Sequence, residues 1–533
     1  MKKTIQKLMA VLLAAAMVCA MAIPAFADTE SIREHHSFKA FQIFKGNVND
    51  ASEISNVEWG SCIHNYHDFL AELKKDSTLG NQFSNADNVQ DVLAVIGKWS
   101  NSDNDSIAFA RFVCHYLYPT ADADPKPFIP TSGDVVQIPN DGAGYYLIVD
   151  TTDFSSGDDY HACNSFLLNV TQAPWNLPIT PKAEKPSVKK EVYDNPDGTS
   201  NEAGFDSSAD HAINEKFQFK LTATLPASND NDRAYDYYDK YTVTFHDTLS
   251  EGITFDHWDT VVINNGGSDI TIPPEKYTYD VSDQNLTLNI DNVKSCADGL
   301  NLNNGATITV TYTAHLNDKA RVNTASGDTK NTNKVYLTYS NNPKNSASWG
   351  KTPESEVYVF TYQLNNTKYR DEVNENNKLA GAGFRLYSDI ACNEEQEIKL
   401  KQNEDGTYSR DFSTEGKGVE MKSAEDGTFN VKGLDAGTYY LKETTTPTGF
   451  NTCPVTTVVI KANHTGNNVD LNGSTINGKD VGASGLSTTI VNNRGTTLPS
   501  TGGMGTTLFY VIGGGLMVAA IVLLVTKKRM ENK

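Results

Sequence analysis

The chain has 533 residues, 66 of them acidic and 45 basic, for a net charge of −21. So acidic a balance disfavours nucleic acid and anionic membrane as partners. The length suggests about three domains, each able to bury its own core, and seven cysteines are too sparse for a disulfide-built scaffold.

At the N-terminus, Lys2, Lys3 and Lys7 precede an apolar stretch (8–23) and Ala25-Phe26-Ala27. That order is a secretory signal, with cleavage expected before Asp28. In the next region, Val89, Val92, Ile96 and Trp99 keep helical spacing, as do Phe109, Phe112, Val113, Tyr116 and Leu117. Strand-like runs at 38–44, 145–149 and 166–170 flank them. A β domain with a helical insertion is expected over 28–182. His35-His36 near its start reads as a disordered end rather than a metal site.

Pro178-Ile179-Thr180-Pro181-Lys182-Ala183-Glu184-Lys185-Pro186 then forms an extended boundary. Beyond it the period becomes two. Phe217, Phe219, Leu221, Ala223 and Leu225 alternate with polar residues, as do Ile308, Val310, Tyr312 and Ala314. Turn clusters such as Asn195-Pro196-Asp197-Gly198 and Asn341-Asn342-Pro343 separate such runs. The expected fold is mainly β: three tandem immunoglobulin-like sandwiches, at 28–182, 183–352 and 353–497. Residues 498–533 form a separate tail.

Some polar residues fall on apolar faces. Glu443 shares a face with Tyr439 and Leu441, Lys368 with Phe360, Tyr362 and Leu364, and Asn492 with Ile490. Each alone is costly to bury; together they fit a reaction. Burial pushes a lysine toward the neutral amine and a glutamate toward the neutral acid. The amine is then a nucleophile, and the acid can polarise the Asn amide and protonate departing ammonia. The product is a Lys–Asn isopeptide bond between first and last strands, with Asn493 as the alternative to Asn492. The middle region repeats the pattern with Lys190, Asp247 and Asn333, where Lys189 and Asn341 are the alternatives. In the first region Lys45, Asp150 and Asn169 have a poor flanking pattern and are not assigned.

Cys62, Cys114, Cys163, Cys296, Cys392 and Cys453 remain after export. Cys392 and Cys453 could pair within the last domain, and three cysteines in the first leave an odd thiol. There is no HExxH motif, phosphate loop or nucleophile elbow. Asn229-Asp230-Asn231-Asp232 lacks the spacing of a calcium loop. No metal, cofactor or enzymatic activity toward an outside substrate is expected.

The chain ends in Leu498-Pro499-Ser500-Thr501-Gly502, an apolar run (508–526) long enough to cross a membrane, and Lys527, Lys528 and Arg529. This three-part order resembles the cell-wall sorting signal of Gram-positive surface proteins. It implies that a sortase cysteine attacks the Thr501 carbonyl, releases Gly502 onward and holds residues 28–501 as a thioester. Leu379-Ala380-Gly381-Ala382-Gly383-Phe384-Arg385-Leu386-Tyr387, with Tyr440-Leu441-Lys442-Glu443-Thr444-Thr445-Thr446-Pro447-Thr448-Gly449-Phe450, resembles the collagen-adhesin B-type domain. That family forms a spontaneous isopeptide bond from this Lys, Glu and Asn; Asn366 stands where it usually has an apolar residue.

Trp175-Asn176-Leu177-Pro178-Ile179-Thr180-Pro181-Lys182 resembles the pilin motif of sortase-assembled backbone pilins, with Thr-Pro-Lys in place of Tyr-Pro-Lys. The resemblance implies Lys182, or Lys185 nearby, as the lysine that resolves the thioester of the next subunit. The expected role is the shaft subunit of a covalent pilus, exported and cell-wall-anchored. The expected partners are a class C-type pilus sortase, a housekeeping sortase, further copies of the chain, accessory tip and basal pilins, peptidoglycan, and a host or neighbouring-cell surface. The alternative is a monomeric wall-anchored adhesin of the same architecture.

Overall fold

The computed structural model describes residues 36–48, 54–99, 104–119, 123–132, 135–152, 165–171, 175–178, 185–195, 204–226, 238–297, 300, 302, 305–413, 418–482, 484–495 and 505–531. The expected signal peptide, Cys163, Lys182, the acidic loop at 229–232 and Leu498 to Gly502 lie outside them.

In the first region Phe38–Val48 is a central strand, antiparallel to Gly144–Asp150 and Ile54–Trp59. Both of its faces are covered. Phe41, Ile43 and Phe44 belong to the same buried cluster as the helices, whereas Phe38 and Ala40 pack with Val136, Ile138, Tyr146 and Ile148. Between Ile54–Trp59 and Ile129–Ser132 come the helices Tyr66–Lys75, Gly80–Phe83, Val89–Ile96 and Asn104–Leu117. Asn65 and Asn88 cap the first and third of them, each side chain accepting two backbone N–H bonds. The helices are held down by aromatic contact: Phe69 lies 5.1–5.5 Å from Tyr116, Phe112 and Trp59. His36 is buried, its Nδ1 2.6 Å from Asp150 Oδ2, which corrects the expected disordered end. A buried carboxylate gives the imidazole a partner and fixes the segment.

The middle region has two facing sheets. One runs through Ser208–Asp210, Ser355–Phe360, Asn331–Ser340, Val243–Leu249, Asn285–Ile290 and Tyr277–Ser282; the other through Asp269–Thr271, Ile253–Asn264, Thr307–Leu316, Lys216–Thr224, Ser187–Asp194 and Gly204–Asp206. The alternation read from the sequence decides the buried face: Phe217, Phe219, Leu221 and Ala223 point inward with Ile308, Val310, Tyr312 and Ala314. Ser355–Phe360 pairs antiparallel with Asn331–Ser340 and parallel with Ser208–Asp210. The expected boundary at 352/353 therefore falls short by one strand, because the backbone groups of this segment are satisfied by the middle sheet.

The change of sheet comes after Phe360. Tyr362–Arg370 opens the C-terminal region, antiparallel to Val431–Leu434 and parallel to the last strand, Ser487–Asn492. A second sheet, built around Gly383–Tyr387, Gly437–Thr445 and Thr456–Ile460, covers it. Between the two lies a core of Tyr362, Leu364, Phe384, Leu386, Leu441, Val458 and Ile490. The helix Gly505–Glu531 follows, and its segment Phe509–Met530 (mean hydropathy 2.3) is long and apolar enough to cross a membrane.

Candidate reaction centres in the two sandwiches

Parallel pairing sets Lys368 beside Ile490 and Arg370 beside Asn492, so the lysine and the asparagine side chains emerge from neighbouring strands on the core face. Lys368 Nζ lies 2.5 Å from Asn492 Oδ1 and 3.6 Å from Glu443 Oε1. Asn492 Nδ2 donates to the same Glu443 oxygen at 2.6 Å. Glu443 reaches in from the opposite sheet, and its Oε2 accepts the Cys453 N–H at 2.8 Å. The Lys368 and Glu443 side chains are fully buried. Burial pushes the Lys368 pKa down, against the opposing pull of Cys453 and Glu443.

The backbone is shaped to hold this lysine. Lys368 N–H donates to the Gly427 carbonyl at 2.8 Å. Gly427 has φ +76, and a Cβ there would lie 2.6 Å from the Lys368 carbonyl oxygen, so the turn needs glycine. Asn366, the departure from the family pattern, is buried but fully used: it accepts from Thr488 Oγ1 at 2.7 Å and donates to the Phe429 carbonyl at 3.1 Å. Asn493 is exposed and stands outside the cluster.

The middle region assembles its residues differently. Lys190 sits on Ser187–Asp194, while Asp247 and Asn333 come from adjacent strands of the facing sheet. Lys190 Nζ is in hydrogen-bond contact with Asp247 Oδ2 and lies 3.1 Å from the Tyr312 hydroxyl. That hydroxyl donates to Asp247 Oδ2 at 3.1 Å and accepts from Asn333 Nδ2 at 2.6 Å. Asn333 Oδ1 is buried with no hydrogen-bond partner among the described residues. Burial pushes Lys190 down to about 8 and Asp247 up, each opposed by the other's charge. Lys189 is exposed and pairs with Glu191, and Asn341 is buried against Ser348 instead.

Tyr312 is the functional residue that sequence reasoning missed. Its alternation marked it as core, but nothing in the pattern says that its hydroxyl touches three polar partners. Cys453 is the other. Cys392 and Cys453, which could pair by sequence, are both free thiols. Cys392 sits in a turn near the Ile390 carbonyl, whereas Cys453 abuts Lys368 and Glu443, which keep it engaged elsewhere. Burial pushes its thiol up to about 11. In the first region Lys45 pairs with Glu58 near the surface while Asp150 is buried against His36, so the unassigned Lys45, Asp150 and Asn169 are not brought into one cluster.

Two family models match the chain. Residues 362–475 match the SpaA prealbumin-like fold domain, and residues 490–532 match the LPXTG cell wall anchor motif. This is a cell-wall-anchored surface protein. In the anchored chain, the prealbumin-like match begins at the same strand, Tyr362–Arg370, where the structure changes sheet. No curated protein matches the sequence.

Among solved structures, the chain is similar to the group B streptococcus pilus 2b backbone protein, at 23% identity over 54% of this chain and 97% of that one, with a TM-score of 0.39. It is similar to the T6 backbone pilin of Streptococcus pyogenes, at 16% identity over 87% and 96%, TM-score 0.46. It is also similar to the major pilin SpaD from Corynebacterium diphtheriae, at 17% identity over 87% and 90%, TM-score 0.38. Likeness at these values leaves the role of the anchored chain to be argued from its own residues.

Proposed function

We propose that the chain is the structural shaft subunit of a covalent pilus. The observation that carries this reading is the buried Lys368–Glu443–Asn492 cluster, which sits between the first and last strands of the domain that precedes the anchor. The neutral Lys368 amine attacks the Asn492 side-chain carbonyl carbon. A C–N bond to lysine forms and the bond to Nδ2 breaks; Glu443 passes its proton to the departing nitrogen, which leaves as ammonia, and takes one from the lysine nitrogen, so the acid is restored. Lys190 and Asn333 react in the same way with Asp247 as the acid. Tension on the chain then runs through side-chain amides rather than through strands that can peel apart.

Between subunits, a sortase breaks the Thr501–Gly502 peptide bond and the Lys182 amine of the next subunit resolves the thioester. Class C-type and housekeeping sortases, accessory pilins and peptidoglycan are the partners this scheme requires. The anchor motif supports the sortase step; Lys182 rests on its linker motif.

Mass spectrometry of the full chain tests the internal bonds: each removes one ammonia, about 17 Da, and an unshifted mass rejects both. For the joint between subunits, Lys182→Ala is expected to abolish the high-molecular-weight ladder in cell-wall extracts. A surviving ladder removes Lys182 from the scheme, and no ladder in wild type favours the monomeric adhesin.

A further inference from the structure

The middle and C-terminal regions meet at a joint with its own chemistry. Ile213 N–H donates to the Gly433 carbonyl at 3.0 Å and Asn323 N–H to the Thr361 carbonyl at 2.8 Å. Gly433 has φ +73, and a Cβ there would stand 2.3 Å from the Ile213 side chain. The two backbones are thus pressed together, and polar groups between them are shut off from water.

Three of those groups are metal-ligand types. His464 Nε2 lies 3.2 Å from Asp194 Oδ2 and 3.8 Å from Asp210 Oδ1, and the three side chains are 4%, 4% and 2% exposed. His464 Nδ1 is 2.9 Å from Ser208 Oγ, and the Asp210 N–H donates to Asp194 Oδ1 at 3.3 Å. His464 can bring at most one positive charge to two carboxylates, which leaves the cluster negative where water does not screen it.

A second imidazole lies beside the cluster. His211 is fully buried, and its Nε2 is 2.7 Å from the Tyr193 carbonyl, which places a ring proton there. Its Nδ1 is buried with no hydrogen-bond partner among the described residues. A His211 ring nitrogen and carboxylate oxygens of Glu215 and Asp435 also lie within 4.8 Å of one another. There, however, Arg410 lies 3.9 Å from Glu215, so that second group has a cation at hand and the Asp194–Asp210–His464 group is the stronger metal candidate.

We propose that Asp194, Asp210 and His464 bind one divalent transition-metal ion of the zinc class, clamping the middle region to the C-terminal one. A tetrahedral site with nitrogen and oxygen ligands at about 2.0–2.1 Å has neighbouring ligand atoms about 3.3 Å apart, against 3.2 and 3.8 Å from His464 Nε2 to the two carboxylates. An imidazole ligand favours zinc-type ions over calcium, which takes six to eight oxygens. On binding, His464 gives up the Nε2 proton to solvent and keeps Nδ1–H on the Ser208 hydroxyl, which orients the ring. Asp194 and Asp210 lie 16 residues apart and His464 is 270 residues beyond Asp194, a spacing no linear metal motif has.

Calorimetric titration of zinc into the chelator-treated full chain, purified in detergent, tests this. One ion per chain and a rise in melting temperature are expected, with binding weakened at least about tenfold by His464→Gln or by the shape-preserving Asp210→Asn. No uptake by wild type, or uptake unchanged in both variants, overturns the proposal. So does a joint whose stability follows pH but ignores zinc, which would assign the charge balance to a protonated His464. Should the variants fail to fold, cobalt(II) loaded into the wild-type chain keeps the question decidable: a visible spectrum of a tetrahedral nitrogen–oxygen site is expected, and its absence overturns the assignment.

Discussion

The two buried lysines meet their asparagines across different kinds of contact. In the C-terminal region Lys368 and Asn492 stand on parallel neighbours in one sheet, in direct contact at 2.5 Å, with Glu443 descending from the sheet opposite. In the middle region Lys190 faces Asn333 across the core, and the Tyr312 hydroxyl stands between them, bonded to both and to Asp247. One arrangement brings together two strands of a single sheet; the other spans the two sheets. The difference teaches that an amine, an amide and an acid can be gathered in a dry core by more than one topology.

The comparison is most strongly tested by removing the acid where the contact is direct. Glu443→Ala is expected to leave the C-terminal bond unformed, so the mass deficit falls by one ammonia while the middle bond is kept. Lys368 and Asn492 are 124 residues apart, and by the chain-entropy model for a cross-link of that span the domain loses about 5 kcal/mol in denaturant unfolding. A mass deficit unchanged by Glu443→Ala would show that the acid is dispensable there.

The next effect separates the two centres. Tyr312→Phe keeps the ring and removes the hydroxyl that joins Lys190, Asp247 and Asn333. Slower formation of the middle bond is expected by time-resolved mass spectrometry, together with a loss of about 1–3 kcal/mol from the unpaired polar groups left behind. The C-terminal bond should form as before. Equal rates in mutant and wild type would reduce Tyr312 to a packing residue.

A third measurement uses pH. Asn333→Ala leaves Lys190 unreacted, with its pKa lowered from 10.5 to about 8 by burial. Between those values the unfolded chain binds more protons than the folded one, so the variant's stability should rise as pH goes from 8 to 10.5. Asp247, whose pKa is raised, acts in the opposite direction at lower pH, because there the folded state holds the extra proton. Urea unfolding across the upper window checks the sign; a flat profile would mean that Lys190 is not desolvated in the unreacted domain.

The smallest expected effect concerns the family departure beside Lys368. Asn366→Ala strips Thr488 and the Phe429 carbonyl of a partner and should cost about 1–2 kcal/mol without altering the bond count by mass. Loss of the C-terminal bond in this variant would promote Asn366 from packing to positioning.

How much of this was legible in the sequence varies by residue. The period-two runs determined the strands and their buried faces, since a side chain's face follows from its parity along an extended chain. For the same reason Lys368, Glu443, Asn492, Lys190, Asp247 and Asn333 could be picked out as inward-facing, and the anchor was readable because its three parts are contiguous. Parity, however, says nothing about which strands become neighbours. Only the tertiary structure decided that Ser355–Phe360 joins the middle sheet, that Asn492 rather than Asn493 meets Lys368, and that Cys453 sits at Glu443 instead of pairing with Cys392. It alone brought Tyr312 between a lysine and an asparagine, and His464 against two aspartates from another region. These are contacts between residues far apart in the chain, set by sheet register and by the packing of one sheet on another, and no local pattern carries that information.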